Sequence, residues 1–187
     1  MKAFGPVPSR RLGQSIGVNN IPYKICSYSC VYCQIGKAIK MQTGRQTFYH
    51  PVLLVNEVAE LIRHAQQENI PIDYITIVPD GEPTLDRNLG SLIDQLRELG
   101  YPVAVISNSS LMHLENVRGD LLKADLVSFK IDSVFHDTWK RINKPFKRLN
   151  LDEILKGIEI FAKEFSGKLL TETMLIRNYN DDEKEWK

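Results

Sequence analysis

The sequence predicts an α/β fold, a partial (β/α) barrel of about five to six parallel strands with outer helices, cut short at the C-terminus. Three observations predict it. Strand-like and helix-like segments alternate along the chain, as in right-handed βαβ units on a parallel sheet. A full eight-unit barrel takes about 250 residues, so 187 residues allow about six units at most. The last residues, Asn180–Lys187, read as the start of another helix, so either the barrel is open or the chain ends before its fold does.

Gln14–Val18 is a short strand, followed by the long loop that holds every cysteine. Leu53–Gln67 is a helix, because Leu54, Val58, Leu61, Ile62 and Ala65 share one face at helical spacing. Tyr74–Pro79 is β-rich and ends at Asp80-Gly81. The next helix has Asp86 as its cap, the stripe Leu89, Leu92, Ile93, Leu96 and Leu99, and Gly100 as its stop. Pro102–Ile106 is a short apolar strand, and a more weakly patterned helix covers Met112–Lys123. Leu126–Ile131 is another strand. Pro145-Phe146 punctuates a loop, after which Asn150 and Glu153 form a capping box that opens the helix Leu151–Phe165. A last strand runs Leu169–Ile176. No low-complexity segment interrupts, so residues 1–187 read as a single domain.

With 43% hydrophobic and 25% charged residues, the composition is that of a soluble globular domain. The 24 Lys and Arg against 23 Asp and Glu leave a formal charge of +1, which argues against a chain built mainly to coat nucleic acid or a membrane surface. No apolar run approaches the ~20 residues of a membrane span. Met1–Gly5 lacks the charged-then-apolar pattern of a signal peptide, so a cytoplasmic, reducing compartment is expected.

The three cysteines, Cys26, Cys30 and Cys33, lie within eight residues. An odd number so tightly clustered is a poor disulfide framework. Three thiolates from one short loop suit a soft metal or an iron–sulfur cluster. Structural zinc wants four ligands, and there is no fourth cysteine; the spacing of His50, the nearest histidine in sequence, does not recommend it. His64, His113 and His136 are equally scattered. The competing readings are a non-catalytic metal-binding module and three cysteines packed as small apolar residues.

Cys-x3-Cys-x2-Cys with Tyr32 before the last cysteine follows the first predicted strand, and Gly81-Glu82-Pro83 follows the second. Together they resemble the radical S-adenosylmethionine (radical SAM) superfamily. Within it, Gly5-Pro6-Val7-Pro8-Ser9-Arg10-Arg11-Leu12-Gly13 and the run Gln14–Gly36 are similar to the branch of wyosine-type tRNA-modifying Fe–S oxidoreductases. The resemblance implies that Cys26, Cys30 and Cys33 hold three irons of one 4Fe–4S cluster, leaving the fourth to chelate the amino and carboxylate groups of S-adenosylmethionine. One electron from a low-potential donor such as flavodoxin or ferredoxin would then cleave the sulfonium to methionine and a 5′-deoxyadenosyl radical that abstracts hydrogen. The substrate implied is tRNA or another nucleotide-like molecule, and an activating enzyme that installs a radical on a partner protein is a variant. The tRNA-modifying relatives carry a second cluster on further cysteines, and this chain has none to spare.

The same resemblance implies cofactor-binding roles. The backbone of Gly81, Glu82 and Pro83 would receive the S-adenosylmethionine amino group, and Ser107 and Asn108 would contact its carboxylate or ribose. Tyr32 would pack near the adenine, and Ser128 and Asp132 match a family pattern near the cofactor. Plainer readings stand beside these: a strand-to-helix turn, a turn-forming asparagine and a loop anchor.

In the strand that begins at Leu126, Ser128, Lys130 and Asp132 share one face and Val127, Phe129 and Ile131 the other. The polar face is expected to enter the lumen, unless Lys130 and Asp132 simply pair with each other. Glu172 and Met174 share a face of the last strand. Lys140, Arg141, Lys144, Lys147 and Arg148, interleaved with Phe146, form with Arg10 and Arg11 either a solvated face or a contact for tRNA phosphate.

Overall fold

The computed structural model describes residues 2–183. In chain order the first elements are β1 (Ala3–Ser9), β2 (Gly13–Val18), β3 (Ile25–Cys26), β4 (Lys40–Met41), α1 (Pro51–Gln67) and β5 (Tyr74–Ile77). There follow α2 (Leu89–Arg97), β6 (Val103–Ser107), α3 (Glu115–Leu121), β7 (Leu126–Lys130), α4 (His136–Asn143), α5 (Leu151–Glu164) and β8 (Lys168–Glu172). One six-stranded sheet has the order β1-β2-β5-β6-β7-β8, parallel from β2 onward, while β3 and β4 pair with each other inside the cysteine loop.

The all-parallel expectation is corrected at one edge, where β1 runs antiparallel to β2. Pro6 and Pro8 hide β1 in the sequence, since proline cannot donate to a ladder and sits in strands only at such an edge. The last strand stops at Glu172 rather than Ile176, because side chains take over from the ladder there. Thr173 Oγ1 donates to the Ile131 carbonyl (2.6 Å) and the Met174 amide to Asp132 Oδ1 (2.9 Å). The helix expected over Met112–Lys123 shortens to Glu115–Leu121, with turns at Ser109–Met112 and Leu111–Leu114 before it. Asp86 is not the cap of α2. Its carboxylate accepts from the Asn88 amide (2.9 Å) and from Asn20 Nδ2 (3.2 Å), which fixes the turn preceding the helix. The Pro145 loop follows a helix the sequence reading missed, α4, whose buried stripe is only Thr138, Trp139, Ile142 and Asn143. The helix expected from Asn180 begins instead as a turn at residues 177–180, and the remainder of that segment beyond Glu183 lies outside the described residues.

Alternation along the strands sorts the two faces of the sheet. Ile16, Val18, Ile75, Ile77, Val105, Val127 and Phe129 are fully buried with the helices' apolar stripes. At roughly 1.5–3 kcal/mol for each such side chain, this layer holds the domain together. The opposite face is thinner and more polar: Leu12 from the β1–β2 turn packs with Ala104 and Leu126, and Ser15 and Thr76 share a hydroxyl hydrogen bond of 2.5 Å. Stability is thus concentrated on the helix side, leaving the other face and the C-terminal ends of the strands for chemistry. Among the described residues no helix is long and apolar enough to cross a membrane.

Candidate functional site

The cysteine loop lies over the C-terminal ends of the parallel strands. Its backbone is tied to the segment after β5, where Lys24 N donates to the Asp80 carbonyl (2.8 Å) and Glu82 N to the Ile25 carbonyl (3.1 Å). Gly81 allows that approach. A Cβ there would stand 2.0 Å from the Ile25 carbonyl oxygen and 2.8 Å from Ile21, so only glycine lets the two segments meet.

The other side of the loop docks on α4. Ser29 N donates to the Asn143 carbonyl (3.0 Å), Val31 N to the Ile142 carbonyl (2.9 Å), and Phe146 N to the Ser27 carbonyl (2.9 Å). The carbonyls at a helix C-terminus lack partners within the helix, and here the cysteine loop supplies them. Tyr28 anchors the loop from below: it is buried with Trp139, Leu151 and Ile154, and its hydroxyl accepts from Trp139 Nε1 (3.0 Å). Inside the loop, Cys33 N bonds the Cys30 carbonyl (3.2 Å) and Gly36 N the Cys33 carbonyl (2.9 Å), curling the segment so that all three cysteines stay partly exposed.

Two asparagine amides point at the sulfurs. Asn108 Nδ2 lies 3.4 Å from Cys26 Sγ and Asn143 Nδ2 3.4 Å from Cys30 Sγ. Both are held from behind. Asn108 also donates to Ser27 Oγ (3.0 Å) and accepts from the Ser110 amide (3.0 Å), while Asn143 donates to Asp132 Oδ2 (2.6 Å). Burial pushes the Cys26 thiol up to about 12, with the nearby Glu82 carboxylate adding to the effect, and burial raises Cys30 as well. As anions these thiols lack a compensating positive charge, which bound iron would supply. The donor set therefore fits an iron–sulfur cluster.

The residues singled out from the sequence divide into a rim and a support. Cys26, Cys30, Cys33, Tyr32 and Asn108 form the partly exposed rim. Glu82, Pro83, Ser107, Ser128 and Asp132 are buried beneath it. Glu82 faces inward, accepting from Thr84 N (3.1 Å), Thr84 Oγ1 (2.5 Å), Ser107 Oγ (2.7 Å) and Asn108 N (2.7 Å). It joins the ends of β5 and β6, and its burial raises its pKa. Asp132 joins β7 to the loop, accepting from the Tyr32 hydroxyl, Asn143 and the Met174 amide.

Lys130 does not pair with Asp132. Its ammonium lies 4.8 Å over the Tyr32 ring and 4.0 Å from Glu172 Oε1. Ser128 accepts from Arg11 Nη1 (3.3 Å), which also pairs with Glu172 Oε2 (2.8 Å), so Arg11 belongs to the inner face of the sheet rather than to the basic cluster on α4. Asn143 and Tyr28 were missed by the sequence reading. Their one signal is the Trp139, Ile142, Asn143 spacing of a buried helix face next to a loop aromatic. Among the described residues no three His, Cys, Asp or Glu side chains gather as the ligands of a single metal ion. A four-iron cluster would take each thiolate on a separate iron, so its three ligands need not meet at one ion.

The molecule is a mostly parallel α/β sheet whose C-terminal edge carries a three-thiol loop braced by hydrogen bonds. The family model of the radical SAM superfamily matches residues 20–186. The chain belongs to that superfamily of enzymes, as its motifs led one to expect. A UPF0026 protein of Methanocaldococcus jannaschii is 52% identical over 93% of this chain, and the chain spans 54% of that relative's length. Among solved structures, TYW1 with a lysine-pyruvate adduct bound matches with a TM-score of 0.67 at 20% identity, over 92% of this chain and 59% of that one. Streptococcus suis SuiB bound to S-adenosylmethionine matches with a TM-score of 0.61 at 14% identity, over 89% of this chain and 35% of that one. At those identities the likeness is one of fold, and it places this sheet among the partial barrels of the superfamily.

Proposed function

We propose that Cys26, Cys30 and Cys33 hold one 4Fe–4S cluster and that the C-terminal edge of the sheet binds S-adenosylmethionine beside it. When bound, the cluster supplies the one-electron reduction that cleaves the sulfonium and frees a 5′-deoxyadenosyl radical for hydrogen abstraction. The observation that carries this reading is the convergence of Asn108 and Asn143 amides on two of three thiols from a single loop.

The chain's own residues do the rest. Asn108 and Asn143 stabilise negative charge on sulfur, and Tyr28 holds the loop in place. Glu82 fixes the turn at Gly81–Pro83 against Ser107 and Asn108, so the backbone there is set before a ligand arrives. Tyr32, oriented by Asp132 and covered by Lys130, forms one wall of the cofactor's space. The candidate substrate is tRNA, on the similarity of Gly5–Gly13 and Gln14–Gly36 to the wyosine-type branch, and a low-potential electron donor completes the system. A reducing compartment such as the cytoplasm suits the thiols.

The test is anaerobic reconstitution with iron and sulfide, comparing the wild type with Cys26→Ala, Cys30→Ala and Cys33→Ala. A brown wild-type protein with close to four irons per chain and colourless variants are expected. Equal metal uptake by a cysteine variant would contradict the assignment.

A further inference from the structure

The charges of this near-neutral chain are strongly segregated. Seven Lys and Arg precede Glu57, the first acidic residue. Between Asp137 and Asp152 stand Lys140, Arg141, Lys144, Lys147 and Arg148, again with no acid among them. Half of the 24 basic residues are thus collected in two acid-free stretches, while all 23 acidic residues lie elsewhere.

The fold brings these two stretches together at the cysteine loop. The backbone around Lys144 is bonded directly to it, through Ser29 N to the Asn143 carbonyl and Phe146 N to the Ser27 carbonyl, and Tyr28 bridges Pro145. The loop contributes Lys24, Lys37 and Lys40, and the segment from α4 contributes Lys144, Lys147 and Arg148. Among the described residues none of these six is in an ion pair. Asp80 touches the start of the loop, with its carboxylate accepting from Asn19 Nδ2 (3.2 Å). Amid the cations the same loop exposes three large apolar side chains, Tyr23 (54%), Val31 (42%) and Ile39 (74%). Apolar side chains exposed among charges that lack ion pairs suit a protein–protein contact. A single-stranded nucleic-acid surface would offer several stacking rings to bases, and Tyr23 is the one exposed aromatic side chain of this loop.

We propose that this face docks an acidic, electron-donating redox protein. The inference rests on the cluster reading above and adds where the electron enters: through the exposed side of the loop that holds the sulfurs. The step moves one electron. The anionic flavin hydroquinone of the partner gives up one electron and becomes the neutral semiquinone with no proton released, and the cluster gains that electron. The lysines steer the acidic partner, and the exposed apolar side chains of the loop help to seat it.

The test measures the rate at which an acidic bacterial flavodoxin, reduced to its hydroquinone, reduces the reconstituted protein. The comparison is between wild type and the triple variant Lys37→Glu, Lys40→Glu, Lys147→Glu, all exposed positions outside the cofactor site. Cluster content, midpoint potential and reduction by dithionite should match in the two proteins. With flavodoxin the wild-type rate should fall as salt rises, and the variant should be about tenfold to hundredfold slower at low salt, with a flattened salt dependence. Equal flavodoxin rates, or a wild type reduced by dithionite but not by flavodoxin, overturn the proposal. So does a variant that keeps its flavodoxin rate but loses affinity for transfer RNA, which gives the surface to nucleic acid. A wild type that assembles no cluster overturns the underlying reading and the docking with it, and that failure shows before any flavodoxin is added.

Discussion

Asn108 and Asn143 each place an amide hydrogen on a cysteine sulfur, and each is fixed by a second partner that leaves it no other orientation. Hydrogen bonds to sulfur stabilise the more negative, reduced state of a cluster and raise its potential. Asn143→Leu should therefore still assemble a cluster but titrate at a more negative midpoint, read by EPR during a redox titration; an unchanged midpoint would make the asparagine a packing residue only. Gly81 acts by absence. Its missing side chain is the space filled by the Ile25 carbonyl next to Cys26, so Gly81→Ala should push the loop away and cut cluster yield severalfold, measured as iron bound per chain. These roles differ in legibility. The three cysteines announce themselves by number and spacing, whereas the tightness of Gly81 and the aim of Asn143 depend on segments brought together only by folding.

The helix α4 shows how an element unreadable alone becomes important in context. Eight residues with two large apolar side chains make a weak periodic signal, and most of the stripe's meaning comes from Tyr28, more than a hundred residues earlier. Tyr28→Ala should lose about 3–5 kcal/mol of stability in urea unfolding, as for other large aromatic truncations, and release the cysteine loop so that reconstitution fails at moderate temperature. The turn before α2 stores a different cost. Burial raises the Asp86 pKa from 3.8 to about 6, so the folded protein holds this proton more tightly than the unfolded chain. The stability it contributes is full below pH ~4 and is lost as pH rises through ~6, a change on the order of 3 kcal/mol. Asp86→Asn keeps an acceptor for the Asn88 amide and removes the titration, so its unfolding free energy should fall less than the wild type's between those pH values. Parallel slopes would contradict the assignment.

At the scale of the molecule, one side of the sheet supplies stability and its C-terminal edge supplies chemistry. Five strands and the helices α1, α2 and α5 were legible in the sequence because their apolar stripes are long and bounded by Gly, Pro or Asn. β1 was not, since its prolines suit an edge strand and read as a loop, and the true end of β8 was hidden because side chains of Thr173 and Asp132 replace the ladder there. The site was legible as a motif but not as a support structure: Glu82, Ser107 and Asp132 turn inward to hold the rim rather than standing on it, and Ser128 is buried against Arg11. On the reading proposed above, the rim carries a cluster able to cleave S-adenosylmethionine. The decisive experiment incubates the reconstituted, dithionite-reduced protein with S-adenosylmethionine, alongside Cys30→Ala, and measures 5′-deoxyadenosine. The wild type should form 5′-deoxyadenosine and methionine and the variant neither; a wild type that holds a full cluster yet forms no 5′-deoxyadenosine would contradict that reading.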